Sequence, residues 1–327
     1  MKILVFGDTQ YYNNINRSKL LPNGRSSWLE EQINLTKSIF DYALTNDISI
    51  IIHTGDLFEE KSKVNTGLIK EIWGLYNNYK NLFSFYFNQG NHDITSFQDR
   101  SKSLLYLFRE IGSVIFGPAG FYLGKSHVVF CPHKSTTDYD QYLKKNSYNI
   151  LVLHENIDTH YPNEPSIDSD IFKNWDLVLN GHIHQTNIYK NIINVGSFMQ
   201  QDFSEEGQGK YFVILDGLKY TLHPIPHPVF TTITKLTDDL RTSIMKNEHD
   251  YFRIKIDSSA IDDPIFQKHN VTPFIIPSKK RVIRLINNSV NKPNLVEEIT
   301  TYIKLFKPES LDADRLSITG QQLVKGE

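Results

Sequence analysis

The chain has 327 residues, 39% of them hydrophobic and 22% charged, with a formal net charge of -2. That length can bury a substantial core and favours two domains over one, while the near-neutral charge excludes a generally basic nucleic-acid binder, so any positive potential must come from local patches, metals or a partner. No apolar run spans a bilayer, MKILVFGDTQ turns polar too soon for a signal peptide, and the lone Cys131 excludes a disulfide framework or Cys-x-x-Cys zinc site, so a cytoplasmic protein with no membrane association is expected.

Residues 2–6 (KILVF) read as a buried strand that ends in GDTQ. After a polar loop to Ser26, Ser27 and Glu30 are spaced as a capping box, and Trp28, Leu29, Ile33, Ile39 and Phe40 predict an amphipathic helix. Strand ISIIIH runs into TGDLF, followed by a helix through Leu68, Ile69, Ile72 and Leu75. Strand LFSFYF runs into NQGNHD, and a further helix is predicted to carry Leu104, Leu105, Leu107 and Phe108. Strands at FYLG and HVVF come next, with a short helix near residues 138–145. NILVL ends in His154, WDLVLN ends in GHIH, and INVGS, KYFVIL and YTLHPI close the block. Alternating strands and helices, with polar residues gathered at strand ends, predict an α/β layered fold whose site lies at the carboxyl edge of its strands. Three prolines in residues 223–230 suggest a boundary between a first domain, 1–230, and a small α/β unit, 231–306, built on TTITKL, YFRIKID, RVIRLIN and NLVEEITTYIKLF. Residues 307–327 are polar and are expected to form a tail or a partner-binding segment.

The chemistry resides in five motifs, GDTQ, GDLF, GNHD, LHEN and GHIH. Asp8 and Gln10 flank Thr9, so an extended backbone would aim both side chains the same way. Asp56 follows a strand in a Gly-Asp turn and can bridge two metals, Asn91 offers an amide oxygen, and His154, His182 and His184 offer imidazole nitrogens. The predicted first site is Asp8, Gln10, Asp56 and His184; the second is Asp56, Asn91, His154 and His182. Two divalent ions so held would clamp the attacking and phosphate oxygens of an ester hydrolysis. Mixed oxygen and nitrogen ligands without thiolate favour manganese, iron or zinc over copper; manganese is the expected ion, chosen on more than ligand type, with magnesium, iron or zinc as alternatives. His92 is assigned to catalysis, as a protonated imidazole beside the leaving oxygen, and Asp93 is expected to orient its ring. His53, His127, His133 and His160 lack partners at ligand spacing and read as structural. Arg17, Lys19, Arg25, Lys61, Lys63, Arg100 and the KKRVIRL segment are candidate phosphate contacts, and Tyr11 and Tyr12 candidate stacking surfaces for a base.

The ordered motifs resemble those of the calcineurin-like metallophosphoesterase superfamily over roughly residues 1–230. Within it, GDLF and the later NVGSFMQQDFSEEGQGKYFVILD, with Gly196, Ser197, Phe203, Glu205 and Glu206, are similar to the SbcD-type DNA repair nucleases. The resemblance implies a layered β-sandwich flanked by helices with a C-terminal capping domain. It also implies a manganese-dependent double-strand exonuclease and single-strand endonuclease of the kind found among bacteriophage recombination nucleases, acting on DNA with an SbcC-like ATPase. Such nucleases dimerise through a four-helix bundle, here expected from the helices after GDLF and GNHD (Leu68, Ile72, Leu75; Leu104, Leu105, Phe108). One position departs from the pattern: Gln10 stands where the family usually has His, so a looser first metal site is expected. Competing readings are a phosphatase or phosphodiesterase on a non-DNA substrate, and a non-catalytic scaffold, which would need missing ligands.

Overall fold

Strand alternation sets the layers of this molecule. The computed structural model describes residues 1–14, 18–61, 65–256 and 260–275. In β1 (Lys2–Phe6), Ile3 and Val5 join one core and Leu4 and Phe6 another, as a side-chain period of two requires. β2 (Ile50–His53) repeats the pattern, with Ile50 and Ile52 on the Ile3 side and Ile51 on the Leu4 side. Both strands are buried on both faces, which is why they read as unbroken apolar runs. They pair in parallel with each other and with β3 (Ser84–Asn88), which pairs in parallel with β4 (Gly112–Ile115).

The second sheet has β5 (Ala119–Leu123), β6 (Ser126–Phe130), β7 (Tyr148–His154), β8 (Leu177–Gly181), β9 (Asn187–Tyr189) and β10 (Ile192–Asn194), in the order β5-β6-β7-β8-β10-β9. Its middle four strands are parallel, and β5 and β9 close the edges antiparallel. In β7, Ile150 and Val152 face the first sheet and Leu151 and Leu153 face away. β11 (Tyr211–Asp216) and β12 (Lys219–Pro224) return antiparallel beside β1, completing the first sheet as β12-β11-β1-β2-β3-β4. The two sheets thus enclose Ile3, Val5, Val128, Val152, Leu179 and Val213. Each such side chain contributes about 1.5–3 kcal/mol on burial, so the strand ends are set on a rigid base.

The outer face of the first sheet is covered by α1 (Ser27–Thr45) and α2 (Thr66–Asn77) over an aromatic cluster of Phe40, Tyr76, Phe85, Phe87 and Phe108. Three sequence expectations shift here. The cap of α1 is Ser26, one residue earlier than predicted; its side chain accepts from the Leu29 amide at 3.1 Å, while Glu30 is engaged by Arg25. The helix after GNHD forms, but as a 3-10 helix, Leu104–Glu110, and residues 138–145 shorten to a 3-10 turn at Asp140–Tyr142. Of the residues expected to form a dimer bundle, Leu68, Ile72, Leu75, Leu105 and Phe108 are buried in this chain's own core. They offer no free face; Tyr106 and Leu107 are the exposed ones on the 3-10 helix after GNHD.

Beyond Pro224 a third, parallel sheet forms from β13 (Phe230–Ile233), β14 (Tyr251–Ile256) and β15 (Val271–Ile275), with α3 (Asp238–Lys246) between the first two. It has a small core of its own, including Ile233, Ile244, Ile254 and Ile265. Phe230 and Tyr251 pack instead on Trp28 of α1 in the main core. RVIRLIN, NLVEEITTYIKLF and residues 307–327 lie outside the described residues. Among the described residues, no helix is long and apolar enough to cross a membrane.

Candidate metal centre

The five motifs meet at the carboxyl ends of parallel strands from both sheets. Asp8 follows β1, Asp56 follows β2, Asn91 follows β3, His154 ends β7 and His182 follows β8. The turns carrying them are tight. A Cβ on Gly90 would lie 2.2 Å from Asp56 Oδ1, and one on Gly181 would lie 2.7 Å from His154 Nδ1, so both positions accept only glycine. Asp8, Gln10, Asp56 and His182 all have positive φ, between 43° and 73°. Such backbone costs on the order of 1–3 kcal/mol per residue and persists only when its surroundings enforce it. Here the Asp8 amide donates to the Gly55 carbonyl and the Gln10 amide to the Asp56 carbonyl, both at 3.0 Å. The extended Asp8–Gln10 segment expected from sequence is therefore corrected to a pair of left-handed residues tied to the neighbouring turn.

The predicted second site is assembled. Asn91 Oδ1 stands 2.9 Å from both His154 Nε2 and His182 Nδ1, and Asp56 Oδ2 stands 3.2 Å from His154 Nε2. Ligand atoms about 2.1 Å from one ion and at right angles stand about 3.0 Å apart, so these spacings fit a shared divalent cation. Asp56, His154 and His182 each bring one ligand atom within 4.8 Å of the others. The first site is more open. Asp8 Oδ1 lies 4.0 Å from His184 Nε2, and Gln10 lines the cavity beside Asp56 and His184. Oxygen and imidazole donors without sulfur suit a hard or borderline divalent metal in both places.

Charge in the site is finely set. Burial opposes the charge on Asp56, yet His154 and His92 outweigh it and hold the carboxyl well below its ordinary range. Burial pushes Asp8 up to about 6, against the pull of His154 and His184. His154 is raised to about 10, because Asp56 and Asp8 overcome its burial. Burial and the neighbouring His154 lower His182 to about 4, so its imidazole is neutral at physiological pH, the form a ligand needs.

His92 sits at the cavity wall and touches Asp56 only through its backbone amide, which donates to Asp56 Oδ1 at 2.7 Å. Its ring Nδ1 lies 2.5 Å from the Glu59 carbonyl oxygen. That carbonyl accepts the Nδ1 proton and leaves Nε2 as the atom available to a substrate. Asp93 does not orient the ring, contrary to expectation. Its carboxylate accepts the amides of Asp56, Leu57 and Gly90 at 2.8, 3.1 and 2.9 Å, so it fixes the GDLF turn and with it the bridging carboxylate.

Residues 1–186 match the family model described as calcineurin-like phosphoesterase, which is more than half of the chain. The chain belongs to the calcineurin-like phosphoesterase family. It is a metal-binding hydrolase of phosphoester bonds, in a family whose members use a dinuclear metal centre. No curated protein matches it. Among solved structures it is similar to an archaeal phosphodiesterase, at 15% identity over 68% of this chain and 99% of that one, with a TM-score of 0.36. It is also similar to a dimetal phosphatase from Danio rerio (10% identity, 65% of this chain, 91% of that one, TM-score 0.38) and to the nuclease MPE of Pseudomonas putida (10%, 68%, 87%, 0.31).

The structure adds contacts around the site of this phosphoesterase that the sequence does not show. His184 Nδ1 donates to Glu205 Oε1 at 2.7 Å, and Glu205 Oε2 holds the fully buried Lys210 ammonium at 2.5 Å. Burial opposes the Glu205 charge, but His184 and Lys210 hold its carboxyl below the ordinary range. His133 is a buried support: its Nδ1 donates to the His154 carbonyl at 2.8 Å, beside Glu155. His160 lines the cavity. His53 behaves as expected, a core histidine against Thr9 Oγ1, pushed down to about 3 by burial.

The proposed nucleic-acid contacts fare differently. Tyr11 is buried, with its hydroxyl 2.5 Å from Thr36 Oγ1, and cannot stack a base; Tyr12 does line the cavity. Arg25 is tied to Glu30 and Glu71, Arg100 donates to the His133 and Lys134 carbonyls, and Lys19 lies near Glu248. Lys61 is exposed, and Arg17, Lys63 and KKRVIRL lie outside the described residues. The cavity encloses about 720 Å³ and, among the described residues, no Lys or Arg lines it.

Proposed function

We propose that this phosphoesterase is a two-metal DNA nuclease of the SbcD type, manganese-dependent, cutting linear duplex ends and single strands as the nuclease subunit of a complex with an SbcC-like ATPase. The observation that carries the reading is the segment from Gly196 to Glu206. Its Glu205 holds the metal-site His184, its Glu206 accepts from the Thr232 amide at 2.7 Å, and its Phe203 packs on Phe230 and under Arg253. One short acidic segment thus joins the catalytic edge to the third sheet, which supports reading that sheet as part of a capping domain.

Two divalent ions bound here would supply the Lewis acidity for phosphate hydrolysis and the positive potential that draws the phosphate in. The protein's own part is to fix the ligand geometry and to present His92 Nε2 to the leaving oxygen, a role worth about 10²–10⁴-fold. A nucleic acid longer than the cavity would need a basic surface beyond its described lining, on the C-terminal segment or on the ATPase. A dimer on the side of α2 would rest on Tyr106 and Leu107.

Among the described residues the lining is free of Lys and Arg, which favours a second reading, a phosphodiesterase or phosphatase for a small substrate. Parallel assays on labelled linear duplex DNA, circular single-stranded DNA, a nitrophenyl diester and a nitrophenyl monoester, with manganese or magnesium and with or without the ATPase, separate the two. The nuclease reading expects DNA and diester cleavage well above monoester cleavage. Monoester turnover with intact DNA overturns it.

A further inference from the structure

The loop between β7 and β8 carries a group that the motifs do not contain. Asn156, itself buried, closes this loop on itself: its Nδ2 donates to the Tyr161 and Glu164 carbonyls at 2.9 and 3.3 Å, and its Oδ1 accepts from the Tyr161 amide at 3.0 Å. At the loop's base, the Ile167 amide donates to the Asn156 carbonyl at 2.9 Å and the Asp158 amide to the Ile167 carbonyl at 3.0 Å. The closed loop sets two side chains against His182. The Tyr161 ring meets the imidazole edge-on at 5.3 Å between centroids, and its hydroxyl donates to the His182 carbonyl at 3.4 Å. Glu164 Oε2 lies 2.9 Å from His182 Nε2, on the opposite side of the ring from Asn91.

We infer that Glu164 is a positioning residue for the second metal, fixing the tautomer and the ring orientation of His182. A carboxylate only accepts, so the proton of the neutral imidazole sits on Nε2 and Nδ1 is left with its lone pair aimed at Asn91 and the Asp56 carboxylate. A carboxylate behind a ligand imidazole also raises its basicity toward the metal. The Glu164 side chain is 49% exposed, so as a surface contact it adds little to the stability of the fold; its consequence is local to His182. This role rests on the metal-centre reading and not on DNA being the substrate.

The test is calorimetric titration of the metal-free full-length chain with MnCl2, alongside thermal denaturation in EDTA. For Glu164→Ala we expect one of the two binding events to weaken by about 10–100-fold, as for other lost outer partners of ligand histidines, with unchanged melting in EDTA. Glu164→Gln, whose amide oxygen still accepts from Nε2, should recover most of the affinity. Unchanged manganese binding by Glu164→Ala overturns the role. So does an affinity loss that tracks a lowered melting temperature in EDTA, which would make Glu164 a structural residue. A wild-type chain that binds no manganese is a different result, and it overturns the metal centre itself.

Discussion

His184 and Glu205 form a 2.7 Å hydrogen bond across the cavity floor, and behind it lies Lys210, an ammonium with no exposed side-chain surface. Lys210 also donates to the His184 carbonyl and to Ser197 Oγ, both at 2.9 Å, so it braces backbone and carboxylate together. The first prediction follows from that chain of contacts. Glu205→Gln should weaken the first metal site by about 10–100-fold, and, because it leaves the buried Lys210 ammonium without its counter-charge, it should also cost about 3–5 kcal/mol of fold stability. Lys210→Met removes the counter-charge of a buried carboxylate, which keeps only its bonds from His184 and Ser197, and should cost about 3–5 kcal/mol with less effect on metal affinity. Manganese titration and denaturant unfolding in EDTA read the two effects separately.

His154 sets the pH dependence of metal binding. Its imidazole is raised to about 10, so in the metal-free chain it carries a proton on each nitrogen at pH 7, one directed to the Thr54 carbonyl and one to the Asn91 and Asp56 oxygens. Binding through Nε2 must release the second proton. Affinity should therefore rise with pH, by about tenfold per unit between pH 7 and 9. Below Asp8's value of about 6, protonation of that carboxyl steepens the loss. Titrations in two buffers of different ionisation enthalpy should show about one proton released per second-site metal at pH 7.5.

His92→Asn should reduce cleavage by about 10²–10⁴-fold while metal content stays at the wild-type level. The ring contacts the Glu59 carbonyl and no ligand atom, and the backbone amide that touches Asp56 survives the substitution. Metal analysis after desalting, beside the rate, checks this; loss of both metals would contradict the acid role.

Gln10→His should tighten the first site and leave the second alone. Gln10 reaches the cavity from a left-handed backbone that is already fixed by the Asp56 carbonyl, so the exchange changes the donor and not the loop. In the wild-type chain, calorimetry should resolve two unequal affinities that converge in the variant. Two equally tight sites in the wild type would count against a weakened first site.

Much of this was legible in the residues. Each ligand motif directly follows a buried strand, and parallel strands deliver their carboxyl ends to one edge, so order along the chain sufficed to gather Asp56, Asn91, His154 and His182. What escaped were contacts set by tertiary closure. Glu164 and Lys210 lie 18 and 26 positions from their histidine partners, and nothing in their local sequence marks them. Asp93 stands next to His92 in sequence, but burial puts its carboxylate where the Asp56, Leu57 and Gly90 amides need an acceptor, away from the ring. The helix after GNHD forms where its spacing indicated, but as a seven-residue 3-10 helix, which seats Leu105 and Phe108 in the aromatic core before β4 begins at Gly112.

The most direct measurement is cleavage of end-labelled linear duplex DNA by the chain in manganese, with and without the proposed SbcC-like ATPase, comparing wild type with Asp56→Asn. Asp56 has one oxygen toward His154 and the other on the His92 amide, at the junction of the two predicted sites. The wild type should degrade the duplex and lose this activity in EDTA, and Asp56→Asn should lose both metals and the cleavage together. Duplex DNA left intact by a metal-loaded wild type that hydrolyses a nitrophenyl monoester would contradict the account.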